Sequence, residues 1–166
     1  KYKDIPHQWI RAQFFKGMCY ELSNSYAEAF TAFRSIIRRY PHMSPLRHLK
    51  LADIELRIGV IYQKVGMGEI AVKVWEDLVK KYPDSYSALF AKFLLGELTE
   101  EKFRNQIPQG GISSSVRPYI EYSVGFKFQM DGNLKEAESC YKRSIELSGG
   151  KDIVYQQAKK ALEEIE

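Results

Sequence analysis

The chain has little of what usually carries chemistry. Two cysteines in 166 residues cannot make a disulfide scaffold. Cys19 and Cys140 lie far apart among aromatic and apolar neighbours, a setting that suits free, buried thiols acting as small hydrophobes. Histidine occurs as His7, His42 and His48, and the last two flank Pro45, so they are not spaced as metal ligands one helical turn apart. No metal site and no cofactor are expected. Gly110-Gly111 follows no strand and reads as a linker, which excludes a phosphate-cradling loop. Ser113-Ser114-Ser115 precedes Val116 and Pro118 as loop or helix cap, with no neighbouring base to make a nucleophile. The acidic pairs Glu100-Glu101 and Glu163-Glu164 diverge on a helix and read as solvated. No enzymatic activity is expected.

Other absences narrow the class further. No apolar run approaches the ~18 to 20 residues of a membrane span. Lys1 opens on polar sequence without a signal-peptide core, although a segment removed upstream would leave the same beginning. Neither sign of charge dominates, since 25 basic and 21 acidic residues leave +4. The cations are scattered as Arg38-Arg39, Lys80-Lys81 and Lys159-Lys160, each in the later part of an expected helix, where they oppose the helix dipole. A nucleic-acid partner, which needs cations on one face, is not expected. What remains is 45% hydrophobic and 13% aromatic. That composition excludes disorder and allows a chain of this size to bury roughly 70% of its unfolded surface.

Certain positions recur at constant offsets. Gly17, Tyr20, Ala29, Phe33 and Tyr40-Pro41 return, all at one spacing, as Gly59, Tyr62, Ala71, Trp75 and Tyr82-Pro83. At a second, longer spacing, Gly59, Tyr62, Ala71 and Trp75 are matched by Gly125, Phe128, Ala137 and Tyr141. Around them run helical stripes: Tyr26, Ala29, Phe30, Phe33, Ile36, Ile37 and Tyr40; then Ile70, Ala71, Val74, Trp75, Leu78, Val79 and Tyr82; then Leu134, Ala137, Cys140, Tyr141, Ser144 and Ile145. Turns are expected at Ser23-Asn24-Ser25, Gly66-Met67-Gly68 and Asp131-Gly132-Asn133. Pro41 and Pro83 end the helices before them, and Ser44-Pro45 reads as an N-cap with proline in the first turn. No strand alternation occurs, so the class is all-α.

This order of small, aromatic, alanine and aromatic residues resembles the tetratricopeptide repeat family, whose unit is about 34 residues. Starting units at Ile10, Ala52 and Pro118 places Gly17, Tyr20, Ala29, Phe33 and Pro41, then Gly59, Tyr62, Ala71, Trp75 and Pro83, then Gly125, Phe128, Ala137 and Tyr141 on family marks, with Gly149 standing where the last proline would be. The resemblance implies an all-α superhelix of three to four helix pairs, with repeats near 10–43, 52–85, 86–114 and 118–150, and a capping helix over 151–166. The first unit is stretched by a long helix from about Pro45 to Val65. The third is degenerate: Leu95-Gly96 fits its seventh and eighth places, Thr99 to Phe103 begins a short second helix, and Pro108-Gln109-Gly110-Gly111 breaks it. The run from Trp75 to Ser85 is similar to repeats of bacterial outer-membrane-assembly lipoproteins and of the Tol-Pal coordinator. From Leu94 onward the chain resembles the C-terminal part of NlpI-type lipoproteins, which implies the cell envelope or periplasm rather than the cytoplasm.

By the same resemblance the function is recognition of a protein or peptide in a concave groove lined by first helices. The family's groove places fall on Arg11, Phe14, Met18, Glu21 and Leu22, on Asp53, Leu56, Val60, Gln63 and Lys64, and on Tyr119, Tyr122, Phe126, Gln129 and Met130. Members that clamp a terminal carboxylate use Lys, Asn and Arg there; Phe14, Met18, Leu56 and Val60 point instead to an apolar, aromatic groove. Tyr119, Tyr122, Phe126 and Met130 form its most specific stretch. Three functions fit: an adaptor or scaffold, a self-associating module forming a homodimer, and an accessory domain of a larger envelope protein or enzyme.

Overall fold

The computed structural model describes residues 5–41, 51–107, 116–150 and 152–165. Among them are nine helices and no strand: α1 (Ile5–Leu22), α2 (Tyr26–Arg39), α3 (Leu51–Lys64), α4 (Gly68–Lys81), α5 (Tyr86–Leu94), α6 (Glu100–Gln106), α7 (Val116–Met130), α8 (Leu134–Ser148) and α9 (Ile153–Ile165). The protein is all-α and built of tetratricopeptide-type helix pairs. It forms two compact units, residues 1–95 and 96–166, with the division between α5 and α6.

The recurring residues are what lock each pair together. A Cβ on Gly17 would lie 2.6 Å from Phe33 Cε1, one on Gly59 2.6 Å from Trp75 Cδ1, and one on Gly125 2.7 Å from Tyr141 Cε1. The glycine of the first helix is therefore a slot for the aromatic ring of the second. Phe33, Trp75 and Tyr141 are fully buried in these slots, beside the equally buried Ala29, Ala71 and Ala137. A large ring against bare backbone at each crossing gives the close helix approach that ridge-and-groove packing needs.

The turns share a conformation as well as a place. Asn24, Gly66 and Gly132 occupy equivalent positions and have φ of 59°, 81° and 79°. This left-handed region suits Gly and Asn, which explains the composition of these short links. Tyr40 and Tyr82 cap α2 and α4, each donating its backbone N–H to the carbonyl four residues earlier. The dipole argument holds for Arg38-Arg39 and Lys80-Lys81, which fill the last turns of those helices. Lys159 and Lys160 instead sit in the middle of α9, 4.0 and 3.9 Å from Glu163 and Glu164.

Several expectations are corrected. Cys19 is exposed, because it follows Gly17 by two residues, roughly 200° around the helix from the packed face. Ile70 and Leu134 are also exposed, at 42% and 47%, although Ala71 and Ala137 close by on the same helices are fully buried. Gly96 is not a packing glycine: α5 stops at Leu94, and Gly96 follows with φ 79° and open space around it. Short helices flank that turn, each started by a side-chain cap. Ser85 Oγ accepts from the Ala88 N–H at 3.0 Å, and Thr99 Oγ1 from the Lys102 N–H at 3.3 Å. Helix α9 packs Val154, Ala158 and Ala161 against Tyr122, Ala137 and Tyr141. The readings of His42, His48, Ser44-Pro45, Pro108 to Gly111 and Ser113 to Ser115 lie outside the described residues.

Burial sets the chemistry of the remaining thiol. Cys140 is 5% exposed, and desolvation, followed by the nearby Glu121 charge, pushes its pKa from the usual 9.0 up to about 11. A raised thiol pKa leaves less thiolate at any pH below it. At pH 8 iodoacetamide is thus expected to alkylate Cys19 rapidly and Cys140 only after denaturation. Equal rates at the two thiols in the native protein, measured by peptide mass mapping, would contradict the packing of α8.

Candidate protein-interaction site

The first helices α1, α3 and α5 of the N-terminal unit are joined by polar links that bury their charges. Arg57 on α3 reaches back to α1, where Nη1 donates to Glu21 Oε2 at 3.0 Å. Its guanidinium also lies 5.6 Å from the Phe14 ring centre. Glu21 is only 4% exposed, so this pair is a desolvated, charge-assisted contact. Asp53 on α3 accepts a hydrogen bond from Ser87 on α5. A third carboxylate, Glu55, accepts from Lys81 Nζ at 2.6 Å and from Tyr82 Oη at 3.3 Å. The hydrogen bond to Glu55 raises the Lys81 pKa.

In the C-terminal unit the equivalent of Glu55, Glu121, holds a network. Arg104 on α6 donates through Nη1 and Nη2 to Glu121 at 2.7 and 3.1 Å, and through Nε to Glu100 at 2.7 Å. Arg143 on α8 stands 3.5 Å from the same carboxylate. The hydrogen bond to Glu121, with a smaller contribution from that to Glu100, raises the Arg104 pKa further. Tyr141 Oη donates to Gln129 at 2.6 Å, and its burial lifts the phenol pKa well above the usual value.

Against this geometry, the expected groove residues divide. Met18, Leu56, Val60, Tyr122 and Phe126 are buried, with 2 to 8% exposure. An apolar lining open to solvent at those five positions is therefore corrected. Leu56 and Val60 belong to a helix with residues buried on every side, because α3 packs against α2, α4 and α5. Tyr122 is covered by α9, whose Val154, Ala158 and Ala161 share its cluster. From Ile120 to Phe126 every residue of α7 is buried. Arg11 is exposed, while Phe14, Asp53, Lys64, Tyr119 and Met130 are half-buried. Glu21 and Gln129 are engaged in the bonds just given, and Leu22 and Gln63 are half-buried.

Sequence reading missed Arg57, the Asp53–Ser87 link and the carboxylates Glu55 and Glu121. The last two carried a signal, since they stand at the same spacing as Gly59 and Gly125 or Trp75 and Tyr141. No group of histidine, cysteine and acidic residues able to hold a metal exists among the described residues. No helix there is long and apolar enough to cross a membrane.

A family model described as tetratricopeptide repeat matches residues 11–42 and 53–85. The two matched segments hold the pairs α1–α2 and α3–α4. Repeats of this type are protein-interaction modules, typically non-enzymatic, and their partners are proteins or peptides. No curated protein and no solved structure matches the chain, so the lipoprotein resemblances have no relative behind them.

Proposed function

We propose that the protein is a non-enzymatic adaptor that holds a peptide or helix of a partner protein along the first-helix face of its N-terminal unit. The observation that carries this reading is the Arg57 bridge, which ties Glu21 and Phe14 of α1 to α3. A surface already fixed in place loses less entropy when a ligand is bound. The groups accessible along it are Arg11, Phe14, Asp53 and Lys64, a strip of charge and aromatic edge. Such a strip favours a ligand with alternating charges and one apolar anchor. Tyr119 and Met130, half-buried on α7, supply an aromatic and thioether surface of the same kind in the C-terminal unit.

Peptide display against the immobilised chain, followed by amide chemical-shift mapping of a selected peptide, tests this. Shifts are expected at Arg11, Phe14, Asp53 and Lys64, with about tenfold weaker binding in Arg11→Glu. Selected peptides whose shifts all fall away from these residues would overturn the assignment.

A further inference from the structure

The first-helix face changes charge from one repeat to the next at a single place. At the spacing that relates Gly17 to Gly59, Arg11 on α1 corresponds to Asp53 on α3. Helix α2 runs antiparallel to both helices. Trp9 pairs with Tyr40 and Phe14 with Phe33, while Tyr26 lies beneath Lys64 and Phe30 meets Tyr62. Helices α1 and α3 therefore run in one direction. Their level is set by Arg57, whose guanidinium lies 5.6 Å from the Phe14 ring centre and bonds Glu21 at 3.0 Å. Arg11 precedes Phe14, and Asp53 precedes Arg57, by about one helical turn. A cation and a carboxylate thus stand side by side on neighbouring first helices.

The two charges are presented differently. Arg11 is exposed, its guanidinium 6.0 Å from the Phe15 ring centre. Asp53 is half-buried and accepts a hydrogen bond from Ser87 of α5, which orients the carboxylate without removing its charge. The Arg57–Glu21 pair beside them is internally neutral. We propose that Arg11 and Asp53 read an extended peptide of a partner protein that carries an acidic and a basic residue three positions apart, the acid on Arg11 and the base on Asp53. Neighbouring helices stand roughly 8 to 10 Å apart. A polyproline II segment advances about 9 Å in three residues and brings its side chains back to the same side. An α-helical ligand advances only about 4.5 to 6 Å over three or four residues, which falls short of the gap. The proposal rests on the first-helix reading and adds to it the charge register of the ligand.

The probes are the peptide Leu-Pro-Glu-Pro-Pro-Lys-Pro-Leu, whose prolines preset the extended form, and its relatives with Lys in place of Glu or Gln in place of Lys. Each is titrated into the full chain and followed by amide chemical shifts. The Glu/Lys probe is expected to move the amides of Arg11, Phe14 and Asp53 and to bind about tenfold tighter than either relative. Arg11→Glu is expected to invert the order and favour the Lys/Lys probe by about tenfold. Asp53→Asn keeps an oxygen for Ser87 and should bind the Glu/Lys and Glu/Gln probes alike. Probes that move these amides yet bind the parent equally, or keep their order in Arg11→Glu, would overturn the register and leave the first-helix reading standing. Probes and display-selected peptides that leave these amides unmoved would remove both. Tighter binding by a stapled helix carrying Glu and Lys four residues apart would overturn the extended occupant, as would displacement of the probe by a second copy when the chain is concentrated.

Discussion

Gly59→Ala is expected to destabilise the chain by about 2 to 3 kcal/mol, the upper part of the overpacking range. Two effects oppose each other at this position. Alanine is the better helix former, and in an exposed helix interior the change would stabilise by about 1 kcal/mol. Here the added methyl falls against the indole of Trp75, which is fully buried and donates from Nε1 toward the Leu56 carbonyl at 3.4 Å. The ring has nowhere to go, so α3 and α4 must separate, and the clash outweighs the propensity. In a Trp75→Leu background the same substitution should become neutral or stabilising, because the obstructing ring is gone. Urea unfolding of the four proteins followed by circular dichroism checks this. A Gly59→Ala midpoint at or above the parent's would mean that the helices do not meet at Gly59. Ala71→Trp and Ala137→Trp press on the same crossings and should cost at least ~1 to 3 kcal/mol, whereas changes at exposed Glu163 or Lys159 should stay within about 0.5 kcal/mol.

The helix pairs were legible because their packing code is local and repeated. A glycine and the aromatic that fills its slot keep one separation in three helix pairs, at Gly17 and Phe33, Gly59 and Trp75, Gly125 and Tyr141. The candidate site was legible only in part, since exposure depends on which helices come next. Tyr122 has the composition of a binding residue, and what buries it is α9, whose contact with α7 no spacing within the repeat encodes. Leu56 and Val60 read as groove lining until α3 is seen to have neighbours on three sides. The polar links were hidden for the opposite reason. Glu21 and Arg57 look like ordinary surface charges far apart in the chain, and only tertiary structure turns them into a buried pair.

Helix α6 is tied to α7 by a polar group, and Glu121→Ala tests how much that group contributes. Helix α6 has only seven residues, too few to be stable alone. Phe103 and Ile107 bury its apolar side, and the forked contact from Arg104 to Glu121 ties it to α7. Removing the carboxylate leaves the Arg104 guanidinium partly buried with only Glu100, and Arg143 loses its neighbour too. Breaking a buried pair from one side costs about 3 to 5 kcal/mol, and partial exposure of Arg104 places the expected loss near the bottom of that range, at about 3 kcal/mol. Replacing both partners, as Arg104→Met with Glu121→Leu, should recover most of the loss, because no uncompensated charge then remains. Native-state hydrogen exchange adds a local readout: amides of α6 should lose protection in Glu121→Ala before those of α8 do. If Glu121→Ala unfolds at the parent's urea midpoint and α6 keeps its protection, the network contributes nothing and apolar packing by Phe103 and Ile107 alone holds the helix.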